Sequence, residues 1–197
     1  MSTDTSLVYQ TDENTQRRTF LVGVRLFLAA NTMLMLAMLF AYLYLRANNN
    51  GGMWRPDGIG DLSGLGMAII LVLQAACLVA VIAAIGLFHE DRSTHRVVGV
   101  IALLLALAAG VGRVWYQYHL GSGWVINHGT YTAVTEMWFG ILIIEALVGV
   151  LWLFTVVLPG RRAAHPLVAA RQLRGFAEYW GYLLVVSTLV FLLARLV

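Results

Sequence analysis

Five ionisable side chains fall inside long apolar stretches of this 197-residue chain: Arg25, Arg113, Glu136, Glu145 and Glu178. A charge at the centre of a hydrocarbon layer costs about 3 kcal/mol on insertion scales, so such residues persist where they pair, relay protons or contact a partner. Asn31, Thr32 and Gln74 are neutral companions in the same stretches. Glu145 lies deepest. It stands nine residues after Glu136, which on a helix is about 13 Å further along the axis and on roughly the opposite face. The two carboxylates therefore do not form a general acid–base pair. Three uses remain for Glu145: accepting hydrogen bonds from Asn31 or Gln74, holding a proton, or meeting a polar group of another subunit. The first, structural use is our reading, with the proton-linked or partner-contact use as its alternative.

The other charges sort by depth. Arg113 ends the third apolar stretch and Glu136 begins the fourth. Consecutive spans joined by a short loop are antiparallel neighbours, so the expectation is a structural ion pair between them. Arg25 and Glu178 lie toward the same side of the membrane as each other. They pair only if the first and fifth spans are adjacent; otherwise Arg25 snorkels to headgroups. Tyr179 and Trp180 follow Glu178 directly, and with Arg25 and Glu178 they are expected as contacts at the inner interface.

Metal and nucleophile chemistry lacks a setting in the sequence. A haem held between helices needs axial ligands at membrane depth, whereas His89, His95, His119, His128 and His165 fall in loops or at the ends of apolar stretches. His119 and His128 share one Gly-rich loop without a third ligand nearby, short of a zinc site. Cys77 is the lone cysteine and reads as a small buried hydrophobe. Phosphate-binding loops, nucleophile elbows and metalloprotease helices are missing. The expectation is a chain without metal, cofactor or catalytic residues of its own.

The elements that position these residues are membrane spans. The chain is 60% apolar and 12% charged, against about 45–50% and about 25% in soluble domains. Five apolar stretches, at about 20–45, 65–88, 97–118, 131–158 and 176–196, each reach the roughly 20 residues a spanning helix needs. They are continuous in Leu, Val, Ala, Ile and Met rather than alternating, which excludes barrel strands. The predicted fold is an all-α, polytopic bundle: residues 1–18 a flexible cytoplasmic tail, 19–197 the five-helix domain. Connections carry turn residues, as at Asn48–Gly52, Gly121–Gly129 and Pro159–Gly160.

All thirteen basic residues are arginine, and they are dispersed, mostly at the ends of apolar stretches, a pattern of topology signals rather than of a nucleic-acid groove. Arg17, Arg18, Arg92, Arg96, Arg161, Arg162, Arg171 and Arg174 fall on one side; Arg46, Arg55 and Arg195 fall on the other. The positive-inside rule then puts the amino terminus in the cytoplasm and the carboxyl terminus outside. Arg17-Arg18-Thr19-Phe20-Leu21 has the look of a twin-arginine export signal, but the apolar stretch after it spans about 26 residues, too long for a signal core. Trp54, Trp115, Trp124, Tyr42 and Tyr44 are expected in an outer aromatic belt, and Trp152, Tyr179 and Trp180 in an inner one.

Three segments carry a resemblance: Leu39-Phe40-Ala41-Tyr42-Leu43-Tyr44-Leu45-Arg46 with the following Trp54 and Pro56, Gly112-Arg113-Val114-Trp115-Tyr116-Gln117-Tyr118, and Tyr179-Trp180 followed by Tyr182. In their order the chain resembles subunit III of the haem-copper oxidases, in the short five-span bacterial form of cytochrome c oxidase subunit III. It reads as a divergent member: Asn31-Thr32 stand where that family carries a glutamate, and Trp138, Phe139 and Gly140 where it has a histidine-rich motif. The resemblance implies an accessory subunit of a respiratory terminal oxidase in the bacterial inner membrane. Such a subunit packs on catalytic subunit I and other subunits, binds phospholipid, and supports proton uptake and stability, with haem and copper in the partners. The alternatives are a structural subunit of another energy-converting membrane complex, or a small proton or solute carrier that uses Glu145.

Overall fold

Hydrocarbon offers no partner for backbone polar groups, so a chain of this composition satisfies its N–H and C=O groups within helices. The computed structural model describes residues 5–49, 54, 64–87, 92–121, 129–157 and 166–196, and among them it holds helices and no strands. In chain order these are α1 (Thr5–Ala47), α2 (Gly64–Gly86), α3 (Arg92–Gly121), α4 (Thr130–Val157) and α5 (Pro166–Leu196). Each contains a stretch long and apolar enough to cross a membrane: Arg18–Ala47, Gly64–Gly86, Thr94–His119, Thr130–Val157 and Val168–Arg195.

Two boundaries differ most from the sequence expectation. Residues 5–18, expected as a flexible tail, continue α1 without a break; this segment has neither glycine nor proline to stop a helix. The fifth helix begins ten residues before the expected position, at Pro166. Proline is well suited to a first helical turn, where its missing N–H costs nothing. The polar turn around Arg171, Gln172 and Arg174 concealed that start. Expected loop features Arg55, Pro56, Trp124, Pro159, Arg161 and Arg162, together with His89, His128 and His165, lie outside the described residues.

Helix α2 packs on α3 and α5, α3 on α4, and α4 on α5, so α2–α5 close into a four-helix ring. Helix α1 packs on α4 and α5 alone among the helices, outside the ring. Ring contacts along α1 give its direction. Phe20, Phe27 and Thr32 meet Gly175, Tyr179 and Tyr182 in rising order, so α1 runs parallel to α5. Phe20, Asn31 and Tyr42 meet Trp152, Glu145 and Trp138 in falling order, so it runs antiparallel to α4. We call the end where α1 and α5 begin the near end, and the other the far end.

Small residues let the backbones approach, as is usual where packing rather than the hydrophobic effect holds membrane helices together. Cys77 and Val81 of α2 share a buried cluster with Ala102, Ala106 and Ala109 of α3, and Cys77 Sγ donates to the Ala102 carbonyl at 3.3 Å. A Cβ on Gly149 would sit 2.6 Å from the Trp180 ring, and one on Gly175 would sit 2.7 Å from Phe20. Those two glycines set the α4–α5 and α1–α5 spacing. At the head of α4, Gly129 has φ +126°, a left-handed conformation that suits glycine; its carbonyl takes the Thr132 hydroxyl at 2.8 Å and the Ala133 N–H at 3.2 Å. The outer surface is apolar: Phe40, Leu65, Val72, Val79 and Leu151 are all exposed, as lipid-facing side chains are.

Candidate functional site

The intramembrane polar groups converge at mid-depth. Glu145 is about 22 Å from the α4 start of its span and about 18 Å from the other end. Asn31 Nδ2 donates to Glu145 Oε1 at 2.6 Å, and the Tyr179 hydroxyl donates to the Glu145 carbonyl at 2.6 Å. Trp180 Nε1 donates to the Gln74 carbonyl at 3.1 Å. Arg113 Nη2 donates to Gln74 Oε1 at 2.8 Å and to Ser187 Oγ at 2.7 Å. These bonds run α1–α4, α5–α4, α5–α2, α3–α2 and α3–α5, so every helix is tied to the others through the middle of the bundle.

The expected ion pair between Arg113 and Glu136 is not formed. Arg113 is 2% exposed and reaches down the inside of the ring toward Gln74 and Ser187, while Glu136 accepts from Gln117 Nε2. The reason is direction. A helical side chain leans toward its own helix start, which takes the Arg113 guanidinium away from the far end where Glu136 sits. Gln74 accordingly bonds Arg113, and Glu145 receives Asn31. Ser187 was missed in the sequence; its signal is the i+7 spacing from Trp180, which puts both on one face of α5.

Tyr179 and Trp180 need a second correction. They are 1% and 0% exposed and belong to the bundle interior rather than the inner interface. Because α5 starts at Pro166, Tyr179 stands about 20 Å into that helix. Trp180 stacks on Phe176 with centroids 5.3 Å apart, and Trp152 packs against Phe20, Phe176 and Tyr179. Tyr42, expected in the outer belt, is also buried, between Trp54 and Trp138.

Arg25 and Glu178 do meet. Arg25 Nε donates to Glu178 Oε2 and Nη2 donates to Oε1, both at 3.1 Å. This bidentate pair closes the α1–α5 seam from outside, with the Arg25 side chain 66% exposed and Glu178 28% exposed. Thr32 follows along the seam. Its hydroxyl bonds the Leu28 carbonyl at 2.8 Å and lies 3.3 Å from the Tyr182 hydroxyl. Among the described residues no group of three or more His, Cys, Asp or Glu side chains gathers to hold a metal.

Five apolar crossings, an all-helical architecture and an outward apolar surface define the class: a multi-pass helical membrane protein. A family profile described as protein of unknown function (DUF979) matches residues 3–171, most of the chain, and the chain belongs to that family. The haem-copper oxidase subunit III family does not match, which overturns the resemblance drawn from Leu39–Arg46, Gly112–Tyr118 and Tyr179-Trp180. Those segments are aromatic span ends and packing positions, which membrane physics supplies to unrelated bundles. No curated protein matches the chain.

Proposed function

We propose that the chain is a non-catalytic helical subunit of a larger membrane assembly, docking sideways through the outer seam of α1 and α5. The Arg25–Glu178 pair carries this reading. Ionisable residues within spans almost always face a bundle interior or a water-filled cavity. This pair faces outward, about 10 Å and about 15 Å inside the near ends of the α1 and α5 spans. A neighbouring membrane chain over the seam would take it out of lipid. The arginine excess at the near end supports a cytoplasmic near end and a bacterial inner membrane.

The test uses the full chain in its native membrane, with a photo-crosslinking residue in place of Phe27, which is exposed beside the seam. The expected result is a discrete adduct with another membrane chain, identified by mass spectrometry and an optical spectrum, and lost in Arg25→Ala while the bundle still unfolds at its usual temperature. Absence of a protein adduct overturns the reading.

A second reading has its own observation. Glu145 Oε2 is buried without a hydrogen-bond partner among the described residues, which favours a small proton or solute carrier. Flux into liposomes that disappears in Glu145→Gln would select the carrier over the scaffold.

A further inference from the structure

Arg113, Gln74 and Ser187 form a polar layer between two separate hydrophobic clusters. One turn toward the far end, Ile70, Tyr116 and Phe191 stand on the same three helices within one buried cluster. Toward the near end, Cys77, Ala109 and Leu183 belong to the other. The layer is closed above and below by apolar side chains.

Within it the hydrogen bonding is one-sided. Arg113 spends a single nitrogen on both of its bonds; among the described residues Nε and Nη1 have no acceptor, and neither does Gln74 Nε2. The Ser187 hydroxyl already donates to the Leu183 carbonyl. The side-chain atoms left without any partner here are therefore all N–H donors. Guanidinium stays charged in any protein setting, yet no carboxylate comes within 4.0 Å of Arg113 among the described residues. Glu145 acts on it only through its field.

We propose that this layer is a binding site for a small monovalent anion, of the size and charge of a halide, held by Gln74 Nε2 together with an unspent N–H of the Arg113 guanidinium. An acceptor is what the layer lacks, and a halide supplies acceptance and counter-charge together. Water serves worse. It accepts, but it brings two O–H donors into a place already rich in donors, and it leaves the charge uncompensated.

The purified full chain in detergent is moved from chloride into gluconate at constant ionic strength, then titrated with chloride, bromide or nitrate. The expected result is a saturable rise of about 5 °C in the unfolding midpoint at excess anion, with broadening of the chloride-35 resonance that bromide competes away. Gln74→Glu places a carboxylate beside Arg113, so this variant should hold the higher midpoint in gluconate and lose both the chloride response and the broadening. Because Gln74→Glu is close to isosteric, it keeps the test meaningful where Arg113→Ala fails to fold. A midpoint independent of halide at fixed ionic strength overturns the site, as does an unchanged halide response in Gln74→Glu.

Discussion

The Asn31–Glu145 bond joins the outlying helix to the ring with one amide and one carboxylate oxygen. Removing Asn31 leaves the whole carboxylate without a side-chain donor. Asn31→Ala should therefore destabilise more than the double change with Glu145→Leu, since a lone buried charge costs more than a missing pair. The coupling in a double-mutant cycle, read from unfolding in mixed micelles, should be about 1 kcal/mol. Arg113→Ala and Glu136→Ala touch different partners, Gln74 and Ser187 on one side and Gln117 on the other. Their effects should add to within about 0.5 kcal/mol. That Arg113 and Glu145 are interior residues was legible in the sequence, because a charge deep in an apolar stretch is costly unless the bundle shelters it. The donor to Glu145 was legible as one of two candidates, Asn31 or Gln74, and Asn31 is the one that bonds it; the partners of Arg113 were not legible. Gln74 and Ser187 reach Arg113 because α2 and α5 are neighbours in the ring, a fact of long-range packing that local pattern does not carry. The Arg25–Glu178 pair was legible up to that same condition, the adjacency of α1 and α5.

At the scale of elements, hydropathy made the five spans legible, while depth depended on where each helix begins. Ten residues at the start of α5 decide whether Tyr179 and Trp180 meet headgroups or the bundle interior. The polar character of that turn hid the answer, since Arg171 and Arg174 read equally as a loop. Glycine spacing gives a sharper test of the packing. Gly149→Ala drives a methyl into Trp180 and Tyr179 and should cost about 1–3 kcal/mol. Gly140→Ala meets nothing within 4 Å on the same helix and should change stability by no more than about 0.5 kcal/mol in the same assay. Gly175→Ala presses on Phe20 and Val24. It should loosen α1 selectively, seen as faster hydrogen exchange in α1 than in α2 and α3.

For the whole molecule, the cytoplasmic near end proposed from the arginines is open to labelling. Cys77 is buried and is the only cysteine, so a Cys77→Ala background gives a silent chain. Thr94→Cys, near the beginning of α3, should react with an impermeant maleimide from the cytoplasmic face. Tyr118→Cys, near the end of α3 and exposed, should react from the opposite face. Reversed accessibility would invert the bundle and discard the cytoplasmic near end.

Because α1 lies outside the ring and, among the described helices, packs only on α4 and α5, it finds its first helical neighbour only after α4 has been made. Asn31 precedes Glu145 by 114 residues, which at ribosomal speed is roughly 6–23 s of further synthesis. Throughout that interval α1 inhabits the bilayer without its eventual companions, its amide facing lipid or whatever insertion machinery shelters it. Biogenesis of this protein therefore has a built-in waiting period, and a chain truncated before α4 should be recognised by membrane quality control through an orphaned α1.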